Sequence, residues 1–272
     1  MDHFSAADGT RLAYLDHGTG LPVLALAGLT RDSRDFDYLA PFMTGVRFIC
    51  LDSRGRGQSG WSGADSYTPL QEAQDALALM DHLGIEQFAV IGSSRGGILG
   101  MLIAALAPAR LLGLCLNDIG PIIETAGLER IAAYIGRRPT AGTLAQMADR
   151  LPAANPGFDG VPASRWAEEA ERHFTVCEDG LGLTYDPDLA KSFQAAMSAP
   201  AVDLWPLFDA CQGRPLALIR GENSDLLSRK TAQDMQARAP GLDWIDVPNR
   251  AHIPFLDEPQ SIATITGWIN RL

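Results

Sequence analysis

Cysteine is scarce in this sequence and has no metal-binding spacing. The chain has 272 residues and four cysteines, which lie far apart with no Cys-x-x-Cys pair. Cys50 and Cys115 fall within apolar, strand-like stretches, where a free thiol behaves as a small buried hydrophobic side chain. We therefore expect free cysteines in a reducing compartment and no zinc site.

The sequence also lacks a long apolar run and an excess of basic residues. The N-terminal stretch MDHFSAADGTRLAYLDHG has neither the basic start nor the apolar centre of a signal peptide. No apolar run reaches transmembrane length. The net charge of −11 and the sequence pI of about 4.8 disfavour nucleic acid and an anionic membrane as partners. These absences predict a cytoplasmic protein.

Strand-like and helix-like stretches alternate along most of the chain. The predicted strands are a hairpin over 3–17 that turns at Asp8-Gly9, followed by 22–27, 46–51, 88–91, 111–117, 214–220 and 243–247. The predicted helices of this part of the chain are 32–43, 69–83, 98–107, 229–238 and 259–270. Strands separated by helices predict an α/β fold with a mostly parallel central sheet flanked by helices.

Residues 120–205 interrupt this alternation. Helical patches over 124–136 and 165–174 are joined by Pro- and Gly-rich segments, and no strand-like run occurs. We predict a helical cap inserted into a core made of residues 1–119 and 206–272. Aromatic side chains of the insertion, such as Trp166 and Phe174, are expected to line an apolar substrate pocket.

The stretch from Phe88 to Ile98, FAVIGSSRGGI, places a G-x-S-x-G pattern between a predicted strand and a predicted helix. In that context the pattern predicts a nucleophile elbow, a sharp and strained turn that exposes the Ser94 hydroxyl. Gly92 and Gly96 allow the strand and the helix to approach closely. The alternative is a glycine-rich turn in which the serine merely caps the helix.

A nucleophilic serine needs a base and a carboxylate that orients the base. Of the five histidines, His252 follows the last predicted strand, and the carboxyl ends of parallel strands are where such a sheet places its chemistry. Asp118 and Asp225 each follow a strand and compete for the role of the acid. We favour Asp225 because it follows the penultimate strand. Asp118 is followed closely by Gly120-Pro121, and a hydrogen-bonding role in that turn is enough to explain its presence.

Together these motifs resemble the α/β-hydrolase-fold serine hydrolases of the lidded esterase and lactonase type. The resemblance covers residues 1–119 and 206–272. It rests on the GSSRG elbow, the DSRGRGQS turn at 52–59 (the family's D-x-R-G-x-G-x-S), Gly221…Asp225, and His252-Ile253-Pro254…Glu258-Pro259. It implies the α/β-hydrolase fold, and we interpret the 52–59 turn as mainly structural.

The resemblance also implies an activity and a set of site residues. The expected enzyme is a carboxylic ester or lactone hydrolase with Ser94, Asp225 and His252 as its triad. The backbone amides of Arg95 and Leu29 would form the oxyanion hole, although Ala27-Gly28 stands here where the family usually has His-Gly. No metal or organic cofactor is expected, and the partner is a small ester or lactone.

Two other functions stay open from the sequence. Haloalkane dehalogenases and epoxide hydrolases carry Asp at the centre of the elbow, so Ser94 argues against both. Hydrolases that cleave carbon–carbon bonds of ring-fission products keep the serine, but many place Trp after the catalytic histidine, where this chain has Ile253. A ligand-binding receptor on a hydrolase scaffold is disfavoured because a receptor needs no complete triad.

Overall fold

The computed structural model describes residues 1–272. Its strands are β1 (Asp2–Ser5), β2 (Arg11–Gly18), β3 (Leu21–Leu26), β4 (Val46–Leu51), β5 (Phe88–Ser93), β6 (Leu111–Asn117), β7 (Phe174–Cys177), β8 (Gly180–Leu183), β9 (Leu216–Gly221) and β10 (Leu242–Val247). Its helices are α1 (Pro69–His82), α2 (Arg95–Leu106), α3 (Thr125–Tyr134), α4 (Leu144–Ala154), α5 (Ala163–His173), α6 (Leu189–Ser198), α7 (Trp205–Asp209), α8 (Arg229–Arg238) and α9 (Pro259–Ile269).

Eight of the strands form one sheet in the order β1-β2-β4-β3-β5-β6-β9-β10. The first two pairings are antiparallel and the remaining five are parallel, which confirms the predicted mostly parallel sheet. Successive residues of β3 pack into different core clusters: Leu24 and Leu26 into the larger, Val23 and Ala25 into the smaller. Helices therefore cover both faces of the sheet, as a continuous apolar strand requires.

Helix α1 begins as the sequence predicts. The Thr68 hydroxyl accepts a hydrogen bond from the Gln71 amide at 3.2 Å, and Pro69 occupies the first helical position. The helix predicted over 32–43 is wrong, because the chain there forms two short 3₁₀ turns, Ser33–Phe36 and Ala40–Phe42. Pro41 lacks the amide hydrogen that a continuous α-helix would need at this position.

The segment between β6 and β9 contains helices α3 to α7, which agrees with a helical insertion. It also contains a two-stranded antiparallel sheet of β7 and β8, so the prediction that this segment has no strand was wrong. Cys177 ends β7 and is exposed, whereas the other three cysteines are buried. The division of the chain into domains at residues 120 and 205 stays a prediction.

The insertion is held against the sheet by the turn at 52–59. The Gly57 amide donates to the Thr184 carbonyl at 2.9 Å, and the Asp186 amide donates to the Gly55 carbonyl at 2.7 Å. This turn therefore joins the core to the segment that follows β8.

None of the helices has the length and apolar character that crossing a membrane would require.

Candidate active site

Ser94 lies on a strained turn between β5 and α2. Its φ of 50° and ψ of −117° are unfavourable for a residue with a side chain. A Cβ on Gly96 would lie 1.9 Å from the Leu26 carbonyl oxygen, and a Cβ on Gly92 would lie 2.4 Å from the Gly96 carbonyl oxygen. Glycine is thus required on both sides of Ser94 for the helix to pack against the sheet.

His252 lies in the loop that follows β10 and reaches the Ser94 hydroxyl. Its Nε2 is 2.9 Å from Oγ of Ser94. Two residues further along this loop, the Pro254 carbonyl accepts a hydrogen bond from Nδ2 of Asn117 at 3.1 Å. Asn117 is the last residue of β6, so the sheet itself holds the histidine loop in place.

Asp118 lies on the other side of the imidazole. Its Oδ2 is 2.8 Å from Nδ1 of His252, and its side chain is fully buried. The carboxylate also accepts hydrogen bonds from the Gly221 amide at 2.8 Å and from the Ser224 hydroxyl at 2.6 Å. Because β6 lies beside β5 in the sheet, Asp118 follows the strand adjacent to the one that ends next to Ser94.

The structure places Asp118 rather than Asp225 against His252, so the prediction of Asp225 as the acid was wrong. The Asp225 carboxylate instead forms an ion pair with Arg130 of α3. The loop after β9 contributes donors from Gly221 and Ser224 to Asp118 rather than the acid itself. The chain order serine, aspartate, histidine is the same for both candidates, so this order could not separate them.

The two amides predicted for an oxyanion hole belong to the residue after Ser94 and to a segment that approaches Ser94. Arg95 is the first residue of α2, where a backbone amide has no partner within the helix. The Leu29 amide donates no hydrogen bond within the chain. A Cβ on the preceding Gly28 would lie 3.7 Å from Cβ of Ser94, so this backbone approaches Ser94 closely.

A buried ion-pair network connects Leu29 and Arg95. Nε of Arg56 donates to the Leu29 carbonyl at 2.8 Å, and its Nη1 donates to Glu72 at 2.7 Å. The second oxygen of Glu72 accepts from Nε of Arg95 at 2.6 Å. Burial alone would raise the pKa of Glu72, but Arg56 and Arg95 outweigh it and hold that pKa below its usual value.

A cavity of about 520 Å³ opens above Ser94 and His252 and is walled largely by the insertion. Trp166 and Phe174, the two aromatic residues predicted for the pocket, both line it. The indole of Trp166 packs edge-on against Phe158 and Phe255, with ring centroids 6.0 and 6.4 Å apart. A cavity of this size accommodates a small organic substrate.

The cavity wall also contains a cluster of charged residues that the sequence did not predict. Arg31, two residues after Leu29, contacts Asp35 at 3.4 Å, Glu169 at 3.5 Å and the ring of His173. Burial would raise the pKa of Asp35, but Arg31 and His173 hold it below its usual value. These residues come from the segment after β3 and from α5, so no local sequence pattern connects them.

No group of three or more His, Cys, Asp or Glu side chains is arranged to bind a metal ion.

This sheet order, with a strained serine turn at the end of β5, defines an alpha/beta hydrolase. The chain belongs to the alpha/beta hydrolase family, which matches residues 15–265. It is similar to a 3-hydroxybutyrate-oligomer hydrolase of Cupriavidus necator, with 36% identity over 268 residues that cover 93% of this chain and 90% of that protein.

Two further similarities extend along the chain. A 2-(acetamidomethylene)succinate hydrolase of Mesorhizobium japonicum is 26% identical over 264 residues, which cover 94% of this chain and 90% of that protein. The crystal structure of an alpha/beta hydrolase from Novosphingobium aromaticivorans superposes with a TM-score of 0.93 at 40% identity, covering 100% of this chain and 98% of that one. The protein is a hydrolase of this family.

Proposed function

We propose that this hydrolase cleaves a carboxylic ester through an acyl-enzyme on Ser94. The observation that carries the proposal is the line of contacts from Ser94 through His252 to Asp118, at 2.9 and 2.8 Å. A serine hydroxyl, an imidazole and a buried carboxylate in this order are the parts needed for nucleophilic acyl transfer.

The contacts of Asp118 determine which nitrogen of His252 carries the proton. A carboxylate beside Nδ1 favours the tautomer with hydrogen on Nδ1, which leaves the lone pair of Nε2 directed at the Ser94 hydroxyl. Nε2 then takes the hydroxyl proton as Oγ attacks the ester carbonyl carbon. The carbonyl oxygen becomes an oxyanion that accepts hydrogen bonds from the amides of Leu29 and Arg95.

Collapse of this intermediate breaks the bond to the alcohol oxygen, and His252 gives its proton to the departing alcohol. A water molecule then attacks the acyl group on Ser94, with His252 again taking the proton. Hydrolysis of the acyl-enzyme releases the acid and restores the serine. A lactone follows the same steps, but the alcohol stays attached to the acyl chain, so that deacylation releases a single hydroxy acid.

The similarity to a 3-hydroxybutyrate-oligomer hydrolase indicates the substrate class. An oligomer of this kind contains several esters between small hydroxy-acid units, and a cavity of about 520 Å³ has room for more than one such unit. We therefore propose short oligoesters of hydroxy acids as the substrates, with simple esters such as p-nitrophenyl butyrate as convenient probes.

Steady-state hydrolysis of p-nitrophenyl butyrate tests the proposal. The wild type is expected to turn over, and Ser94→Ala is expected to lose turnover while keeping its thermal unfolding midpoint. Ser93→Ala is the matched control, because Ser93 precedes the nucleophile and its Oγ accepts a hydrogen bond from Asn117 rather than from His252. Equal losses in the two variants, or no hydrolysis by the wild type, would contradict the assignment of Ser94.

A further inference from the structure

The peptide between Gly28 and Leu29 carries the amide that the ester mechanism directs at the oxyanion. In a trans peptide the N–H and the C=O point in opposite directions, so a contact that holds the Gly28 carbonyl also orients the Leu29 amide. The Gly28 carbonyl accepts a hydrogen bond from the Arg31 amide at 3.2 Å. This hydrogen bond fixes the peptide on the N-terminal side of Leu29, in a segment that lines the cavity together with Ser94.

The peptide on the other side of Leu29 is held by the side chain of Arg56. Nε of Arg56 donates to the Leu29 carbonyl at 2.8 Å. Nη1 of the same guanidinium donates to the Arg54 carbonyl at 2.6 Å and to Oε1 of Glu72 at 2.7 Å. Because the guanidinium is planar and rigid, the contacts of Nη1 also fix the direction of the Nε–H bond. Both peptides that flank the Leu29 side chain therefore have a fixed orientation.

The segment that carries Arg56 is itself held firmly. The hydrogen bonds of the two flanking glycines join it to the insertion, and Arg56 forms a β-bridge with Tyr185. The guanidinium carbon lies 5.7 Å from the centre of the Tyr67 ring, and the whole side chain is buried. Arg56 thus links the Leu29 carbonyl to a part of the protein that is fixed by both the core and the insertion.

The segment of the second predicted oxyanion donor is attached to the same carboxylate. Oε2 of Glu72 accepts from Nε of Arg95 at 2.6 Å, while Oε1 accepts from Arg56. Burial lowers the pKa of Arg56, because a charge is costly to hold away from water, and Glu72 only partly opposes this. Apolar side chains would fill such a space with no desolvation cost, so stability alone is a weak reason for the network.

We propose that Arg56 is a positioning residue of the oxyanion hole, which holds the Leu29 carbonyl so that the Leu29 amide faces the oxyanion formed when Ser94 attacks. The inference rests on the proposed ester hydrolysis and adds to it a residue outside the triad. The negative charge on the carbonyl oxygen develops only as the carbonyl carbon becomes tetrahedral. A misdirected amide therefore weakens binding of the transition state more than binding of the ester, and its effect appears in kcat rather than in KM.

The test variant is Arg56→Lys. Lysine keeps a positive charge opposite Glu72, but it lacks the planar fork that holds Glu72 and the Leu29 carbonyl in fixed directions. Removal of a whole oxyanion donor costs about 10²–10³ in kcat, so misdirection of one donor is expected to lower kcat for p-nitrophenyl butyrate about 10- to 100-fold. KM is expected to stay within about twofold of the wild-type value.

Arg54→Lys is the matched control. Arg54 lies in the same turn, is fully buried and pairs with Asp75 at 2.6 Å, but its side chain donates to carboxylates and a hydroxyl rather than to the Leu29 carbonyl. We expect the two variants to have similarly lowered thermal unfolding midpoints, whereas Arg54→Lys keeps kcat within a few-fold of the wild type. Equal losses of kcat in the two variants would overturn the positioning role.

Inhibition by n-butylboronic acid separates positioning from a general loss of structure. Oγ of Ser94 forms a bond to boron, His252 takes the hydroxyl proton, and the product is a tetrahedral, negatively charged adduct that resembles the reaction intermediate. The inhibition constant is expected to rise in Arg56→Lys by about the factor by which kcat falls, and to stay unchanged in Arg54→Lys. An unchanged inhibition constant in Arg56→Lys would contradict the proposal.

Two further results distinguish failure of this inference from failure of the proposed function. If the wild type hydrolyses p-nitrophenyl butyrate and Arg56→Lys keeps its kcat, the positioning role is wrong and the esterase stands. If the wild type does not hydrolyse the ester, the proposed function itself fails. Should Arg56→Lys not fold, Arg56→Gln, which leaves Glu72 paired with Arg95, is measured in its place with the same expected losses.

Discussion

Nδ1 of His252 lies 2.8 Å from Oδ2 of Asp118, a residue that directly follows β6, the strand beside β5. Asp118 is fully buried and has a φ of 55°, which directs its side chain from the end of β6 toward the histidine loop. The loop after β9, where the acid was expected, instead binds this carboxylate through Gly221 and Ser224.

Replacement of the acid by its amide tests this relationship. We expect Asp118→Asn to lower kcat for p-nitrophenyl butyrate by about 10⁴, because the amide favours the wrong tautomer of His252. Asp225→Asn is the matched control and is expected to keep kcat within a few-fold of the wild type. The opposite ranking, measured on variants with native circular dichroism, would return the acid to Asp225.

The sequence predicted the sheet, the elbow and the histidine because each depends on local signals. A buried apolar run, a glycine pattern and a position after a strand are visible within a few residues of Ser94 and of His252. The choice between Asp118 and Asp225 depends on which loop side chains face the imidazole across neighbouring strands. That choice is a tertiary relationship, and both residues satisfy the same local criteria.

Two other features could not be predicted from the sequence, for similar reasons. The strands β7 and β8 are four residues long and pair only with each other, so they lack the long apolar run that marks a strand buried in a sheet. The network of Arg56, Glu72 and Arg95 joins a turn to two helices, and its members are ordinary charged residues in the sequence.

Close packing at the elbow predicts a large penalty for one methyl group. Gly96→Ala is expected to lower the free energy of unfolding by about 3 kcal/mol or more, because its Cβ would overlap the Leu26 carbonyl oxygen. Gly267→Ala, in α9 with open space around it, is expected to stabilise by about 0.5–1 kcal/mol. Urea denaturation of both variants measures these changes, and similar values for the two would contradict the packing argument.

Glu72 is predicted to be the most sensitive member of the buried ion-pair network. Glu72→Gln leaves Arg56 and Arg95 without their shared counter-charge, and breaking a buried pair from one side costs about 3–5 kcal/mol. The free energy of unfolding from urea titrations at neutral pH measures the loss. Asp209→Asn, which breaks an exposed pair with Arg238, is the control and should cost less than about 1 kcal/mol.

The pKa of Glu72 predicts how the loss of stability in Glu72→Gln depends on pH. Since Arg56 and Arg95 hold the pKa of Glu72 below its usual value of 4.5, the stabilisation is fully present above pH 4.5. It is lost as pH falls through the lower pKa of the folded protein. The difference in unfolding free energy between the wild type and Glu72→Gln is therefore expected to be constant from pH 7 to pH 5 and to shrink below pH 4.5. A difference that grows on acidification would contradict the assigned charge state.

Covalent labelling tests the acyl-enzyme on Ser94 most directly. A fluorophosphonate should phosphonylate the serine that His252 activates, and tandem mass spectrometry of the digested protein identifies the modified residue. The account predicts one adduct, on Ser94, formed in parallel with loss of ester hydrolysis, retained in Ser93→Ala and absent in Ser94→Ala. An adduct on a different residue, or full inhibition of ester hydrolysis without modification of Ser94, would contradict it.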